Sequence, residues 1–325
     1  MNTPLVSVVI PCFNSALWIG EAIDSCFTQL YAAVEIIVVD DGSTDRSVEV
    51  IATHLAQMPN VSKVLCQSNQ GAPAARNAGI EVATGELVAF LDADDYFFPG
   101  GLEALIGAMQ PDVDVVFGDV RFVDAQKHPN GVRVQAPVGD DWVVFAIETG
   151  AHGPRLFRRR VLQKCPWKVA LPCVQDYELL LNCAANGFVF RHVPQIVAEI
   201  RLHESPTRIS VKVRKSAIAS ETRVSVNLMI EDELVQRCAL TPARKAALHY
   251  SLLADAMLLW RLGKREAAGQ LFRSIETRMA RRSGCFGKDV YARIAAAWGI
   301  GPAGWAWSVR QHLQSRKCGR ADNSR

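Results

Sequence analysis

Three carboxylates follow an apolar run within four positions: Asp92, Asp94 and Asp95 come directly after Leu87–Leu91. The run is preceded by Gly85 and is wholly apolar, a pattern that predicts a fully buried strand. Burying carboxylates is costly unless they are paired or hold a metal, and hard oxygen ligands suit Mg²⁺ or Mn²⁺ shared with a substrate's phosphates. A solvated acidic loop after the strand is the alternative, and this stretch alone does not separate the two.

Two other predicted strands also end in polar residues. Leu5–Ile10 is rich in β-branched residues and stops at Pro11, and Glu35–Val39 runs into Asp40–Asp45, which contains a turn glycine. Val61–Cys66 is a short third strand. Segments of helical periodicity separate the strands, so the chain predicts an α/β layer with a mainly parallel sheet. Ligands of such sheets bind at the carboxyl edges of the strands, where these polar residues lie.

Helices are predicted between these strands. The first would be capped by Ser15 and has an apolar face that includes Ile19 and Ile23. Another follows a turn at Asn69–Gly71 and contains Ala74–Ala78. The sheet and its flanking helices would therefore position the carboxylates at one edge of the layer.

Two common nucleotide-binding motifs are missing from the first strand-to-helix turn. A nicotinamide-binding Rossmann domain needs G-x-G-x-x-G there, whereas this chain has Pro11-Cys12-Phe13-Asn14. No P-loop lysine motif occurs either, so a bound nucleotide would have to be held through a metal. A nucleotidyltransferase would also need a glycine-rich loop with basic residues after the first strand, and this loop is absent from the sequence.

Four blocks of sequence resemble family 2 glycosyltransferases in order and spacing. They are VSVVIPCFN at Val6–Asn14, EIIVVDDGSTD at Glu35–Asp45, NQGAPAARNAG at Asn69–Gly79 and GELVAFLDADD at Gly85–Asp95. The resemblance covers about the first two hundred residues. It implies the GT-A fold, which is a Rossmann-like α/β fold with a mainly parallel central sheet flanked by helices. It also implies a nucleotide-sugar donor, Mn²⁺ or Mg²⁺, and inversion at the anomeric carbon.

The resemblance assigns four residues to donor binding outside the acidic motif. Pro11 and Phe13 would line the base pocket, and Asp41 would accept a hydrogen bond from the base ring N–H. Arg76 stands where the family has a basic residue that contacts the donor. Each has a plainer alternative: Phe13 as a core residue, Asp41 as a turn cap and Arg76 as a surface charge on a helix.

The same resemblance identifies Asp92-Ala93-Asp94 as the D-x-D motif. Asp94 would bind the metal, Asp92 would contact the ribose, the metal or both, and Ala93 would lie against the donor. His203, within Arg201-Leu202-His203, matches a family position near the metal or the diphosphate and is carried as a metal ligand. A single histidine is more often structural, and this alternative stays open.

Asp176 is the candidate catalytic base. It falls in the first turn of a helix predicted from Leu179, Leu180 and Cys183, near the positive end of the helix dipole. The stretch resembles the family's Glu-Asp pair at the start of such a helix, in which the Asp is the base. In this chain Gln175 stands in place of the Glu. An acidic first turn is also a common stabilising feature of helices. An acceptor hydroxyl must lose its proton as it attacks, so the proposed chemistry needs such a base.

The last third of the chain is predicted to be helical and basic. We predict a GT-A domain over residues 1–212 and a helical C-terminal region over 213–325, with helices at Ala246–Trp260 and Ala267–Met279. Residues 241–325 carry 16 Lys/Arg against 5 Asp/Glu, whereas residues 1–240 carry 20 against 28. Tryptophans among these basic residues indicate either peripheral contact with an anionic membrane or a helical cap on the catalytic domain. No nucleic-acid-binding motif accompanies the charge, so nucleic acid is not an expected partner.

The cysteine pattern and the N-terminus predict a cytoplasmic protein, or one peripheral at the inner face of the membrane. Nine cysteines show no C-x-x-C pair or zinc spacing, which favours free thiols in a reducing compartment. No signal peptide is expected, and no apolar run reaches the length of about 18 residues typical of a transmembrane helix.

These observations predict a metal-dependent inverting glycosyltransferase of the hexosyltransferase type. It would move one sugar from a nucleotide-sugar donor, a UDP-sugar, to a hydroxyl of a glycan or lipid-linked acceptor in surface polysaccharide synthesis. Single transfer is expected because the Q-x-x-R-W motif and the membrane helices of processive synthases are missing from the sequence. The alternative is a catalytically silent nucleotide-sugar-binding or scaffolding protein on the same fold, and the replacement at Gln175 is its only support.

Overall fold

A computed structural model describes residues 4–56, 62–137, 139–149, 153–204 and 216–280. The strands in chain order are β1 (Val6–Cys12), β2 (Val34–Asp40), β3 (Ser62–Cys66), β4 (Leu87–Phe90), β5 (Tyr96–Phe97), β6 (Val115–Val123), β7 (Pro129–Arg133), β8 (Arg155–Arg158) and β9 (Phe190–Arg201). The helices are α1 (Ile19–Phe27), α2 (Ser47–Leu55), α3 (Ala72–Val82), α4 (Gly101–Gly107), α5 (Trp142–Thr149), α6 (Arg159–Lys164), α7 (Gln175–Ala185), α8 (Ile218–Gln236), α9 (Pro242–Arg261) and α10 (Arg265–Ala280).

The strands of the described residues form one sheet in the order β3-β2-β1-β4-β8-β6-β9-β5, with β7 pairing to β6. The pairs β3–β2, β2–β1, β1–β4 and β6–β9 are parallel, and β8 runs antiparallel between β4 and β6. The predicted α/β architecture with a mainly parallel sheet and C-terminal helices is confirmed. Because β1, β2 and β4 run the same way, their carboxyl ends meet at one edge of the sheet.

The first helix begins later than predicted, and Ser15 is not its cap. α1 starts at Ile19, and its N-cap residue Trp18 makes no side-chain capping bond. The Ser15 hydroxyl instead donates to the Phe13 carbonyl at 3.1 Å, within the loop that follows β1. The preference of serine for the N-cap position is not realised here, because the Ser15 hydroxyl bonds within the loop at the sheet edge.

Close packing brings α3 onto β1. A Cβ built on Gly79 would lie 2.3 Å from Cγ1 of Val9, so any larger residue would push the helix away from the strand. Ala75, one turn earlier, is also fully buried. This approach carries Arg76, on the same face of α3, over the edge of the sheet where the acidic motif begins.

A buried carboxylate ties the start of the sheet together. Oε1 of Glu35 accepts hydrogen bonds from the Ser7 hydroxyl at 2.5 Å and from the backbone N–H of Thr84 and Gly85 at 2.5 and 3.0 Å. Lys63 pairs with Oε2 at 3.0 Å. Burial works to raise the pKa of Glu35, but these bonds outweigh it and lower the pKa to about 2.

The C-terminal helices match their predicted positions. α9 and α10 are joined at Gly263, which has a positive φ of 79°. Contacts divide the chain into a unit that ends at Arg244 and another that begins at Lys245. The predicted domain boundary at 212/213 lies outside the described residues and stays a prediction, as does the basic tryptophan-containing tail within 281–325. No helix of the described residues is long and apolar enough to cross a membrane.

Candidate active site

The D-x-D carboxylates cluster at the end of β4. Asp92, Asp94 and Asp95 each offer one oxygen, and these atoms lie within 4.8 Å of one another. The Asp95 side chain is buried and accepts the backbone N–H of Arg201 at 2.9 Å, so it joins β9 to the loop. Asp92 is exposed, Asp94 is partly exposed, and Ala93 is buried between them. Asp92 and Asp94 are thus the members of the cluster that a ligand can reach.

His203 lies against this cluster, as the sequence predicted for a residue near the metal. Its Nε2 is 2.9 Å from Oδ2 of Asp94, although 109 positions separate the two residues. Its ring lies 5.4 Å from the ring of Trp18, whose other neighbour is the buried guanidinium of Arg201 at 4.3 Å. Carboxylate oxygens suit Mn²⁺ or Mg²⁺, so Asp92 and Asp94 could hold such an ion, with the His203 imidazole bonded to Asp94 beside them.

Arg76 points inward to the acidic motif. Its Nη2 donates to Oδ1 of Asp92 at 2.6 Å, and its guanidinium lies 4.4 Å above the ring of Trp167. Asn77 holds that tryptophan in place, since its amide both donates to and accepts from the Trp167 backbone at 2.9 and 3.1 Å. The prediction of a donor contact for Arg76 stays open, but its observed partner is the D-x-D motif.

Charges of both signs converge around Arg76. Burial works to lower the pKa of the guanidinium, but Asp92, Asp176 and Asp94 outweigh this effect and raise the pKa of Arg76 above its ordinary value. Desolvation raises the pKa of Asp92, and the carboxylates of Asp176 and Asp94 add to this rise while Arg76 opposes it. The candidate base and the D-x-D motif are therefore close enough to affect each other's charge.

Asp176 lies in the first turn of α7, as predicted. Its Oδ1 pairs with Nη1 of Arg155 at 3.1 Å, and its side chain is 49% exposed against 3% for Arg155. Gln175 is buried and donates from Nε2 to the Leu171 carbonyl at 3.0 Å. Val174, before the helix, has φ 55° and ψ 28°, a conformation that β-branched residues rarely adopt. The carboxylate thus faces solvent from a helix start that the surrounding chain holds firmly.

The predicted base pocket lies at the ends of β1 and β2. Pro11 is buried within β1 opposite Val39, and Phe13 is partly buried in the loop that follows. Asn14 has a positive φ of 49°, and its Oδ1 accepts the backbone N–H of Thr44 at 2.7 Å. The two strand-end loops are therefore tied to each other by the side chain of Asn14.

Asp41 is buried, and its carboxylate is largely occupied by the loop before α3. It accepts from Nε2 of Gln67 at 2.7 Å and from the backbone N–H of Gln70 and Gly71 at 2.9 and 2.7 Å. These bonds use about three of its four acceptor positions. Oδ1 of the neighbouring Asp40 is buried and has no hydrogen-bond partner in the described part of the chain. The family resemblance assigned the base contact to Asp41 alone, and the position of Asp40 qualifies it equally as an acceptor for a base N–H.

Comparison with known proteins gives the same fold and family. The model of the glycosyl transferase family 2 matches residues 7–166. An uncharacterized glycosyltransferase of Nostoc sp. PCC 7120 is 31% identical over 250 residues, which cover 71% of this chain and 76% of that protein. Several other curated glycosyltransferases match over about half of their own length or less.

Two solved structures share the fold. A mannosyltransferase of Pyrobaculum calidifontis in complex with GDP-Man and Mn²⁺ superposes with a TM-score of 0.58 at 19% identity, covering 100% of this chain and 89% of that one. TarS residues 1–349 of S. aureus in complex with UDP-GlcNAc superposes with a TM-score of 0.57 at 16% identity, covering 88% and 95%. With a family model and a curated relative in agreement, this chain belongs to glycosyl transferase family 2 and has the GT-A fold.

Proposed function

We propose that the protein is a metal-dependent inverting glycosyltransferase. In this proposal it moves one hexose from a nucleotide sugar, a UDP-sugar, to a hydroxyl of a glycan or lipid-linked acceptor in surface polysaccharide synthesis. The observation that carries the proposal is the convergence of Asp92, Asp94 and His203 with the exposed carboxylate of Asp176. A cation site and a base at one sheet edge are the two groups that such a transfer requires.

The cation-site residues would act on the leaving group, and Asp176 would act on the acceptor. Asp94, Asp92 and His203 would hold Mn²⁺ or Mg²⁺, which neutralises charge on a departing diphosphate when bound. Asp176 would take the proton of the acceptor hydroxyl as that oxygen attacks the anomeric carbon. Attack from the side opposite the leaving group gives inversion. Pro11, Phe13 and an acidic residue after β2 would hold the base.

Titration of UDP and GDP, each with and without Mn²⁺, tests the donor assignment. UDP binding that requires the metal is the expected result, and it justifies a screen of UDP-sugars for hydrolysis and transfer. GDP binding in its place would keep the reaction and change the donor, since the two solved structures carry GDP-Man and UDP-GlcNAc. Absence of any nucleotide binding would favour the silent scaffold.

We also propose that the protein acts in the cytoplasm, with its basic tail in contact with the membrane. The seven cysteines of the described residues are free thiols, which fits a reducing compartment. The residues proposed to contact the membrane lie outside the described part of the chain. The support for this contact is their positive charge and their tryptophans. Deletion of residues 288–325 should reduce flotation with vesicles of anionic lipid, whereas equal flotation of both forms would favour the packing alternative.

A further inference from the structure

We infer that Arg155 is a positioning residue for the base, holding the carboxylate of Asp176 ionised and correctly turned toward the acceptor. This inference rests on the proposed function, because it concerns the residue that we propose as base. Neither the family resemblance nor the sequence periodicity indicated Arg155. Its role emerges from the register of a short strand.

The sheet places Arg155 directly beneath the start of α7. Arg155 is the first residue of β8 and is opposite Phe117 of β6 in the antiparallel ladder. Phe117 stacks on Phe145 of α5, so this face of the sheet lies under the helical layer. From there Nη1 of Arg155 reaches Oδ1 of Asp176 at 3.1 Å. The arginine approaches from the interior, and the carboxylate is half exposed on its other side.

The backbone before the base is restrained as well. Val174 is held at a positive φ of 55°, and such conformations persist only where the surroundings over-determine them. Gln175 anchors the first turn to the Leu171 carbonyl at 3.0 Å. The orientation of Asp176 is thus restrained by the backbone before it and by the guanidinium beneath it. Such preorganisation is valuable in a base, because small misplacements reduce the rate strongly.

The charges around Asp176 explain why a cation is useful there. Asp92 and Asp94 come from the loop after β4, and their negative charge disfavours ionisation of a third carboxylate nearby. Arg76 from α3 already pairs with Asp92. Arg155 bonds directly to Asp176, so its positive charge offsets the repulsion and keeps the base ready to accept a proton.

Arg158 of the same strand provides a matched control. It lies on the opposite face of β8 and donates to the carbonyls of Val113 and Gln110 at 2.8 and 2.9 Å. It also pairs with Glu86 at 3.0 Å, and its own side chain is 16% exposed. Removal of Arg158 should therefore affect folding much as removal of any part-buried arginine would, without affecting the base.

The experiment compares Arg155→Met, Arg155→Lys and Arg158→Met for transfer, donor binding and thermal unfolding. For Arg155→Met we expect kcat to fall about 10- to 100-fold, the size expected when a support of a general base is lost. Donor KM and metal-dependent UDP affinity should stay within about twofold. The acidic limb of the pH profile should move to higher pH, because loss of an adjacent cation favours the protonated form of a carboxyl. Arg158→Met should keep its kcat and its profile.

Two further variants separate loss of the Asp176 contact from general damage caused by Arg155→Met. Arg155→Lys keeps the charge without the planar fork, so its kcat should fall between those of wild type and Arg155→Met. In an Asp176→Asn background, Arg155→Met should cause no further loss, since a residue that acts through Asp176 has nothing left to act on.

An unchanged kcat and profile in both Arg155 variants, or an additive loss on top of Asp176→Asn, would overturn the inference and leave the proposed function intact. Failure of the proposed function has a different signature. In that case the wild-type protein itself would transfer no sugar from any nucleotide donor, whatever residue stands at position 155.

Discussion

Replacement of Arg76 by Met is the most informative single change, because it removes the cation between the D-x-D motif and the tryptophan behind it. The lost interactions are a 2.6 Å charge-assisted bond to Asp92 and a cation–π contact with Trp167 at 4.4 Å. Such a bond contributes about 1.5–3 kcal/mol, and a desolvated cation–π contact adds up to about 2 kcal/mol. Asp92 is half exposed, so water can hydrate its carboxylate once Arg76 is gone and compensates part of the lost bond. We expect a decrease of about 2–3 kcal/mol in the free energy of unfolding.

Arg160→Met is the control for that measurement. Arg160 pairs with Asp114 at the same N–O distance of 2.6 Å, but its side chain is 62% exposed against 6% for Arg76. An exposed pair contributes about 0–1 kcal/mol, so urea unfolding should separate the two variants by at least about 1 kcal/mol. Equal destabilisation by both changes would refute the reasoning that burial sets the value of the Arg76 pair.

The same variant tests whether Arg76 supports the cation site. Without Arg76, Asp92 loses the charge that opposes the repulsion from Asp94 and Asp176. Calorimetric titration with Mn²⁺ and UDP should then give a weaker affinity by about 10- to 100-fold, the range seen when the partner of a metal ligand is removed. Unchanged metal-dependent affinity in a folded Arg76→Met protein would show that Asp92 needs no such support.

Three further changes probe separate parts of the molecule. Asp94→Asn should abolish the metal dependence of UDP binding, and unchanged UDP affinity with Mn²⁺ would remove Asp94 as a ligand. Asp176→Asn should bind the donor normally but lose transfer by at least about 100-fold, whereas full activity would remove it as base. Glu35→Gln should lower the free energy of unfolding at neutral pH by about 1–3 kcal/mol, measured with urea. Because the pKa of Glu35 is lowered to about 2, its contribution is present above the unfolded value of 4.5 and is lost as the pH falls toward about 2, so the two proteins should converge there.

The sequence allowed the fold and the convergence of the acidic residues to be predicted, for one physical reason. The predicted strands that stop at Pro11, Asp40 and Asp92 are near-continuous apolar runs, which are typical of parallel strands buried on both faces. Parallel neighbours must end at a common edge, so the placement of their polar residues follows from strand direction alone. The structure brings these strand ends together as expected.

The partners of the site residues could not be predicted, because they depend on register and on side-chain direction. β8 has only four residues, two of them arginines, and shows no alternation that identifies it as a strand. Whether Arg155 or Arg158 faces α7 is decided by the pairing of Arg155 with Phe117, and a shift of one residue would exchange their faces. Arg76 is another case, since helical spacing gives its face but does not indicate that this face covers Asp92.

The structure also bears on the departure at Gln175, the only support for a catalytically silent protein. The Gln175 side chain is buried and donates its amide to the Leu171 carbonyl, a bond that an ionised Glu could not make because it has no donor. The amide of Gln175 is therefore used inside the protein, in a bond that ties the first turn of the helix to the preceding loop. Asp176, the next residue of the helix, makes its own 3.1 Å bond to the buried Arg155, and its side chain is half exposed. The replacement is explained by local hydrogen bonding at the helix start, so it does not by itself argue for a loss of the base.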